Sequence, residues 1–203
     1  MHPNPAFRNT PQERNIAFAK ERGFGTLALN TDDCPLLAHV PFLLNDSASE
    51  ADLHLVRSNP ICRLAPAKAV IAVTGPDAYV SPDWYDTPDQ VPTWNYVAVH
   101  IRGELEALPH GSMRDMLERQ SAAYEARLEG KKPWAMDKMS EGVADRMMRM
   151  ILPFRLSITS IDGTWKLNQN KDDAVRLRAA DHVTGSIGSE QAALAALMKT
   201  VET

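Results

Sequence analysis

Residues 24–44 read FGTLALNTDDCPLLAHVPFLL. Two apolar runs, 24–30 and 36–44, flank the turn-forming Thr31-Asp32-Asp33. Short apolar runs bounded by turn residues read as strands. Pro41 sits inside the second run. Proline cannot donate to a ladder, so this strand is interrupted there or turns that side away from a neighbour.

Upstream, Thr10-Pro11-Gln12-Glu13 is a capping box with proline at the first helical position. It predicts a helix through Ile16 and Phe18 that stops at Gly23. Downstream, 45–51 is a polar loop and 52–56 a third strand. Asn59 can cap a short helix that begins at Pro60 and ends before Pro66. A strongly β-type run covers 68–74, closed by a Gly75-Pro76-Asp77 turn, and 78–81 continues extended. An irregular stretch with Pro82, Pro88 and Pro92 follows, and 97–108 is a long strand.

Met113, Met116, Leu117, Tyr124 and Leu128 recur at helical spacing behind Ser112 as a cap. Val143, Met147, Met150 and Ile151 form the face of a second helix. Phe154, Leu156 and Ile158 alternate as a strand, and Asp162-Gly163 predicts a hairpin returning through 164–167. Leu194, Leu197, Met198 and Val201 mark a final helix. About six strands without strand-helix-strand alternation favour an antiparallel barrel or sandwich with peripheral helices. The organisation expected is one domain over 1–203, with a helical insertion at about 112–151 and a C-terminal helix at about 189–201.

The chain has 203 residues, 44% hydrophobic and 24% charged, enough for one well-filled core. Its net charge of -4 argues against a dedicated nucleic-acid binder. No apolar run approaches the roughly 18 residues needed to cross a bilayer. The polar, proline-rich start does not read as a secretory signal. Cys34 and Cys62 therefore read as reduced thiols of a cytoplasmic protein.

Four features could carry chemistry. Arg57-Ser58-Asn59-Pro60 places a cation, a hydroxyl and an amide at a strand-to-helix junction, a pattern suited to a phosphate but by spacing alone more often an ordinary cap. Four of the eight Trp and Tyr residues lie between Trp84 and Tyr96. Such a loop suits a planar ligand or a subunit interface, or packs on its own core. On a strand, Lys166, Asn168 and Asn170 share one face opposite Trp165 and Leu167, fit for an anion, a sugar-like chain or plain solvent. Met147, Met148 and Met150 read as core or interface filling. Arg114, Arg119, Arg127, Lys131 and Lys132 are interleaved with Asp115, Glu118, Glu125 and Glu129, which reads as a mixed, solvated face. The histidines show no metal spacing, and there is no GxSxG, P-loop or GxGxxG before a helix. No residue stands out as a general acid or base. No catalytic residue and no metal are assigned.

Five stretches together resemble one family. They are Met1-His2-Pro3…Phe7, His39-Val40-Pro41-Phe42 and His54-Leu55-Val56-Arg57-Ser58-Asn59-Pro60. The others are a block from Gly75-Pro76 to Gly103 holding Pro92-Thr93-Trp94-Asn95-Tyr96, and Trp165-Lys166-Leu167-Asn168-Gln169-Asn170. In order and spacing the chain resembles the PaiB-type FMN-binding negative transcriptional regulators, a branch of the FMN-binding split-barrel superfamily. The resemblance implies a mainly β (α+β), six-stranded antiparallel split barrel with peripheral helices. It also implies a homodimer with FMN between the subunits.

On that reading Arg57, Ser58 and Asn59 hold the phosphate, in the segment that also contains His54. Lys166 and Gln169 are a second candidate for the phosphate or the ribityl chain. His39, Val40 and Pro41 lie along the ring, and Trp94, Asn95 and Tyr96 close the pocket. Two other functions compete with a regulatory one. One is a flavin-dependent oxidoreductase of the pyridoxamine-phosphate-oxidase-like superfamily. The other is a DNA-binding repressor without flavin chemistry, disfavoured by the acidic balance and by the lack of a helix-turn-helix with a basic recognition helix.

Overall fold

The computed structural model describes residues 2–201; Met1, the first residue of the opening family-like stretch, lies outside them. Seven strands are present: β1 (Phe24–Leu29), β2 (Leu36–Leu44), β3 (Glu50–Val56), β4 (Ala67–Val80), β5 (Thr93–Ala107), β6 (Ile151–Lys166) and β7 (Gly188–Ser189). Five α-helices accompany them: α1 (Gln12–Arg22), α2 (Met113–Glu125), α3 (Val143–Met148), α4 (Asp173–Val183) and α5 (Gln191–Lys199). The strand order is β1-β2-β3-β6-β5-β4-β7, and β1 also pairs β4, so six strands close a ring of pairings. Every ladder with a stated register is antiparallel. This is the mainly β barrel class that the turn-punctuated apolar runs imply.

The fold resolves into two compact units. One comprises Ala19–Ala72 and Ile101–Ser160. Its core includes Leu27, Leu53, Ile71, Ile101, Leu105, Phe154 and Leu156, all fully buried. Each such side chain contributes about 1.5–3 kcal/mol of burial free energy. The helix α1 ends in this unit at Gly23, whose φ of 58° is the left-handed conformation expected of a helix stop. The hydroxyl of Tyr124 on α2 lies 2.7 Å from the carbonyls of both Gly23 and Phe42, donating to one at a time.

The other unit comprises Met1–Phe18, Val73–His100 and Ile161–Thr203. Here Val73, Val80, Val97 and Val99 on the strands are buried, as are Ala179, Ala180, Leu194 and Met198 on α4 and α5.

Two expected turns are absent. Gly75-Pro76-Asp77 lies within β4, and Asp162-Gly163 lies within β6. Both glycines serve close approach. A Cβ on Gly75 would lie 2.6 Å from the Phe18 ring, and one on Gly163 only 1.9 Å from Asn15 Oδ1. Dipeptides that favour turns are overridden when the strand continues into a packed core. Ser112 precedes α2 but makes no side-chain cap; its hydroxyl donates to the Pro109 carbonyl instead. The helix α4 has no clear signal in the sequence. Its apolar pattern is broken by Arg176, which is buried and donates to the Met198 carbonyl.

Candidate functional site

The interrupted strand is visible in the register of the first unit. The β2–β3 ladder runs Phe42↔Leu53, Leu43↔Asp52, Leu44↔Ala51 and goes no further among the described residues. Beyond it, Leu36–Pro41 stays paired with β1, from Leu29↔Leu36 to Phe24↔Pro41. The strand β3 stays paired with β6 as far as Val56↔Ile151. The two strands therefore part at Pro41, and His39-Val40-Pro41 form an edge without a β3 ladder. Unpaired backbone donors and acceptors on such an edge can serve a ligand. Val40 points inward and is buried, Pro41 is half-buried, and His39 is exposed. The imidazole of His39 stacks on Phe24, with centroids 6.5 Å apart, and bonds Thr26 Oγ1 at 3.1 Å. Phe24 and Leu37 are 56% and 62% exposed, so this strand face offers water an apolar surface.

Arg57 and Ser58 are exposed directly after β3. Arg57 is held in place by its backbone N–H on the Met150 carbonyl at 2.9 Å and by Nε on the Arg149 carbonyl at 3.0 Å. Those two bonds leave its terminal guanidinium nitrogens available to an anion. Asn59 is used locally: its Oδ1 accepts from the Ile61 N–H at 3.0 Å, with Pro60 at the first helical position. The helix it caps is a 3₁₀ turn over Pro60–Arg63, too short for a substantial macrodipole. Any anion affinity here rests on the guanidinium and hydroxyl. Cys62 donates to the Val56 carbonyl at 3.5 Å, and burial pushes its thiol up, away from reactive thiolate.

The outward residues of β3 alternate as Glu50, Asp52, His54 and Val56. Asp52 is buried and takes Arg155 Nε at 2.7 Å and Arg119 Nη2 at 2.8 Å. Arg119 therefore does not belong to a purely solvated face: it ties α2 to the sheet. Burial raises the Asp52 pKa, and the hydrogen bonds from Arg155 and Arg119 more than offset it, leaving the carboxyl below its usual range.

His54 lies beside Gln120 of α2, and Nδ1 of His54 and Nε2 of Gln120 are both buried without a hydrogen-bond partner. Burial pushes the His54 imidazole below its ordinary value, and Gln120 offsets part of that. The folded state thus favours neutral His54, so the unfolded chain binds more protons in the window just below 6.5. Stability is expected to fall as pH drops through that window. Denaturant titrations at successive pH values check this, because His54→Gln should flatten the slope there; an unchanged slope would refute it.

In the second unit the remaining candidates are engaged internally. Lys166 Nζ bonds Thr93 Oγ1 and sits over the Phe7 ring, 5.9 Å from its centroid, and burial lowers its pKa. Gln169 uses both amide atoms on its own turn: Oε1 accepts from Leu167 N–H at 2.7 Å, and Nε2 donates to the Trp165 carbonyl at 2.5 Å. Trp94 is 42% exposed and donates to Asp77 at 3.0 Å. Asn95 is wholly buried, with Nδ2 on Met198 Sδ at 3.5 Å, and Tyr96 is half-buried.

The rest of the aromatic loop packs on its own unit. Tyr85 is wholly buried, pairs with Asn168, and its carbonyl accepts from Arg178 at 2.6 Å. Trp84 stacks on His182 of α4. The sequence reading passes over Asp52, Gln120 and Arg178. Each acts on a residue distant in the chain, and no local spacing signals that. Among the described residues no group of three or more His, Cys, Asp or Glu could hold a metal.

Solved structures share this fold. The FAD and heme binding protein from Mycobacterium smegmatis superposes with a TM-score of 0.58 at 16% identity, covering 90% of this chain and 82% of that one. The flavocytochrome Anf3 from Azotobacter vinelandii gives 0.58 at 12% identity, covering 81% and 72%. In sequence, the protease synthase and sporulation protein PAI 2 of Bacillus subtilis is 26% identical over 197 residues, 95% of this chain and 94% of that protein. That similarity and the family-like stretches agree. The family described as "Putative FMN-binding domain" matches residues 1–160, and by that match over most of its length the chain belongs to this FMN-binding family.

Proposed function

We propose that this protein is a PaiB-type regulator that binds FMN as a homodimer, with the flavin along the β2 edge and its phosphate on Arg57 and Ser58. The observation that carries the reading is the parting of β2 from β3 at Pro41. It frees backbone groups for a planar ring system next to the strand end that bears an exposed guanidinium. FMN brings a phosphate of roughly two negative charges, which a charge-assisted hydrogen bond from arginine suits. The exposed Phe24 and Leu37 supply an apolar surface for a second copy, which would complete the ring pocket. A net charge of -4 favours regulation through the flavin over direct DNA contact.

Fluorescence titration with FMN tests the site. Wild type should bind, and Arg57→Ala should weaken binding by about 1.5–3 kcal/mol, roughly 10- to 150-fold. An unchanged affinity would place the phosphate elsewhere. Light scattering should give a dimer, which Leu37→Asp should dissociate. Bleaching of bound flavin by NADH or NADPH would turn the reading to an oxidoreductase. A flavin-independent gel shift would turn it to a repressor.

A further inference from the structure

Val56 continues the outward series of β3 past His54, where Asp52 and His54 have already met Arg119 and Gln120 of α2. It is 55% exposed and opens onto a groove of about 460 Å³ whose walls include Trp134, Met136, Met139, Met147 and Met150. Met147 and Met150 are 56% and 64% exposed. Among the described residues no charged side chain lines the groove, and its one hydroxyl belongs to Ser121. Of the methionines read from sequence as core or interface filling, Met148 is buried, and Met147 and Met150 border an open apolar concavity.

We propose that this groove is an effector site for a neutral, largely apolar aromatic molecule, and that its occupancy changes the grip on FMN. The second half rests on the cofactor reading above. The chemistry of the lining sets the class of occupant. A charged group would lose its hydration against walls that offer no counter-charge, so the occupant is neutral. The volume falls among those of small-molecule pockets, roughly 300–1,000 Å³. Unbranched thioether side chains adapt to varied shapes, and Trp134 offers a flat face to an aromatic ring.

The link to the proposed phosphate site is two hydrogen bonds. Met150 lines the groove, and its carbonyl and that of Arg149 hold the backbone N–H and Nε of Arg57. A ligand that shifts 149–150 shifts the guanidinium proposed to hold the phosphate. The coupling must then be reciprocal.

The test uses the full-length protein and N-phenyl-1-naphthylamine, a neutral aromatic probe that fluoresces on leaving water. Saturable binding of one probe per chain is expected, with a change in tryptophan emission that Trp134→Phe removes. Met147→Glu with Met150→Glu should weaken it about tenfold or more. Both side chains are exposed, so the fold should tolerate the change, and circular dichroism verifies that. Saturating probe should shift the FMN dissociation constant by about threefold or more, and FMN should shift that of the probe by the same factor.

Failure of the probe to saturate, or binding indifferent to the double substitution, overturns the site. Competitive displacement of the probe by FMN makes the groove part of the cofactor site and overturns it also. Loss of the dimer in the double variant assigns the groove to a second copy, and the effector site falls with it. Probe binding that leaves FMN affinity unmoved overturns the regulatory half. Absence of any FMN binding refutes the cofactor reading instead, while the probe titration still decides the groove.

Discussion

Replacing Asp52 with alanine is expected to destabilise the fold by about 3 kcal/mol in a denaturant titration at neutral pH. The carboxylate is 4% exposed and accepts from Arg155 through Nε and Nη2 and from Arg119 through Nη2. Removing it leaves two guanidiniums facing each other across the junction of β3, β6 and α2. Breaking a buried pair in this way costs about 3–5 kcal/mol. The low end applies because the Arg119 and Arg155 side chains are 46% and 32% exposed and can rehydrate. Arg119→Gln should cost less, since Arg155 still neutralises the carboxylate. A loss for Asp52→Ala no larger than for an ordinary surface substitution, within about 0.5 kcal/mol, would refute the clamp.

The network has a pH signature. Burial raises the Asp52 pKa, but the arginine bonds hold the folded value below the unfolded 3.8. Its contribution is therefore fully present above 3.8 and is lost as pH falls through the folded value. This acid limb is distinct from the His54 window nearer neutrality, and Asp52→Asn should remove it selectively.

Gly163→Ala is expected to cost about 3 kcal/mol although glycine is a poor strand residue. A Cβ there would fall 1.9 Å from Asn15 Oδ1 and 2.6 Å from its Cγ. Asn15 is 5% exposed, and its Oδ1 accepts from Trp165 Nε1 at 2.8 Å. The amide must leave, which strands the buried indole donor and overpacks the site. Each effect alone is worth about 1–3 kcal/mol. Adding Asn15→Ala to Gly163→Ala should be much less damaging than the sum of the single losses, because the clash and the lost bond share one partner. Additive losses would show that the glycine matters for another reason.

Much of the fold was legible. The capping box and Gly23 bracket α1, and the bounds of β2 follow from its apolar run and the flanking turn residues. Proline at position 41 announced a strand edge not used by a neighbouring strand. Local rules worked there because the deciding features are local: glycine backbone freedom and the missing proline donor. They failed at Gly75 and Gly163. In both places the glycine answers to a side chain far away in sequence, Phe18 and Asn15.

Of the candidate site, the sequence marked Arg57-Ser58 by residue type and His39-Val40-Pro41 through the family resemblance. Spacing offered Asn59 as the cap it proves to be, but could not show that Gln169 folds back on Trp165 or that Asn95 is sealed against α5. Those fates depend on which groups a residue meets after folding. Pattern and composition by themselves determined the strand-rich antiparallel class and the start and stop of α1, while the family was legible only through the resemblance of five stretches, which the match over residues 1–160 bears out. Only the tertiary structure decided that Asp52 and Arg119 form a clamp, that two glycines make room for side chains, and that Met147 and Met150 are exposed while Met148 is buried. Burial and pairing between distant residues are properties of the folded arrangement, and no window along the chain contains both partners.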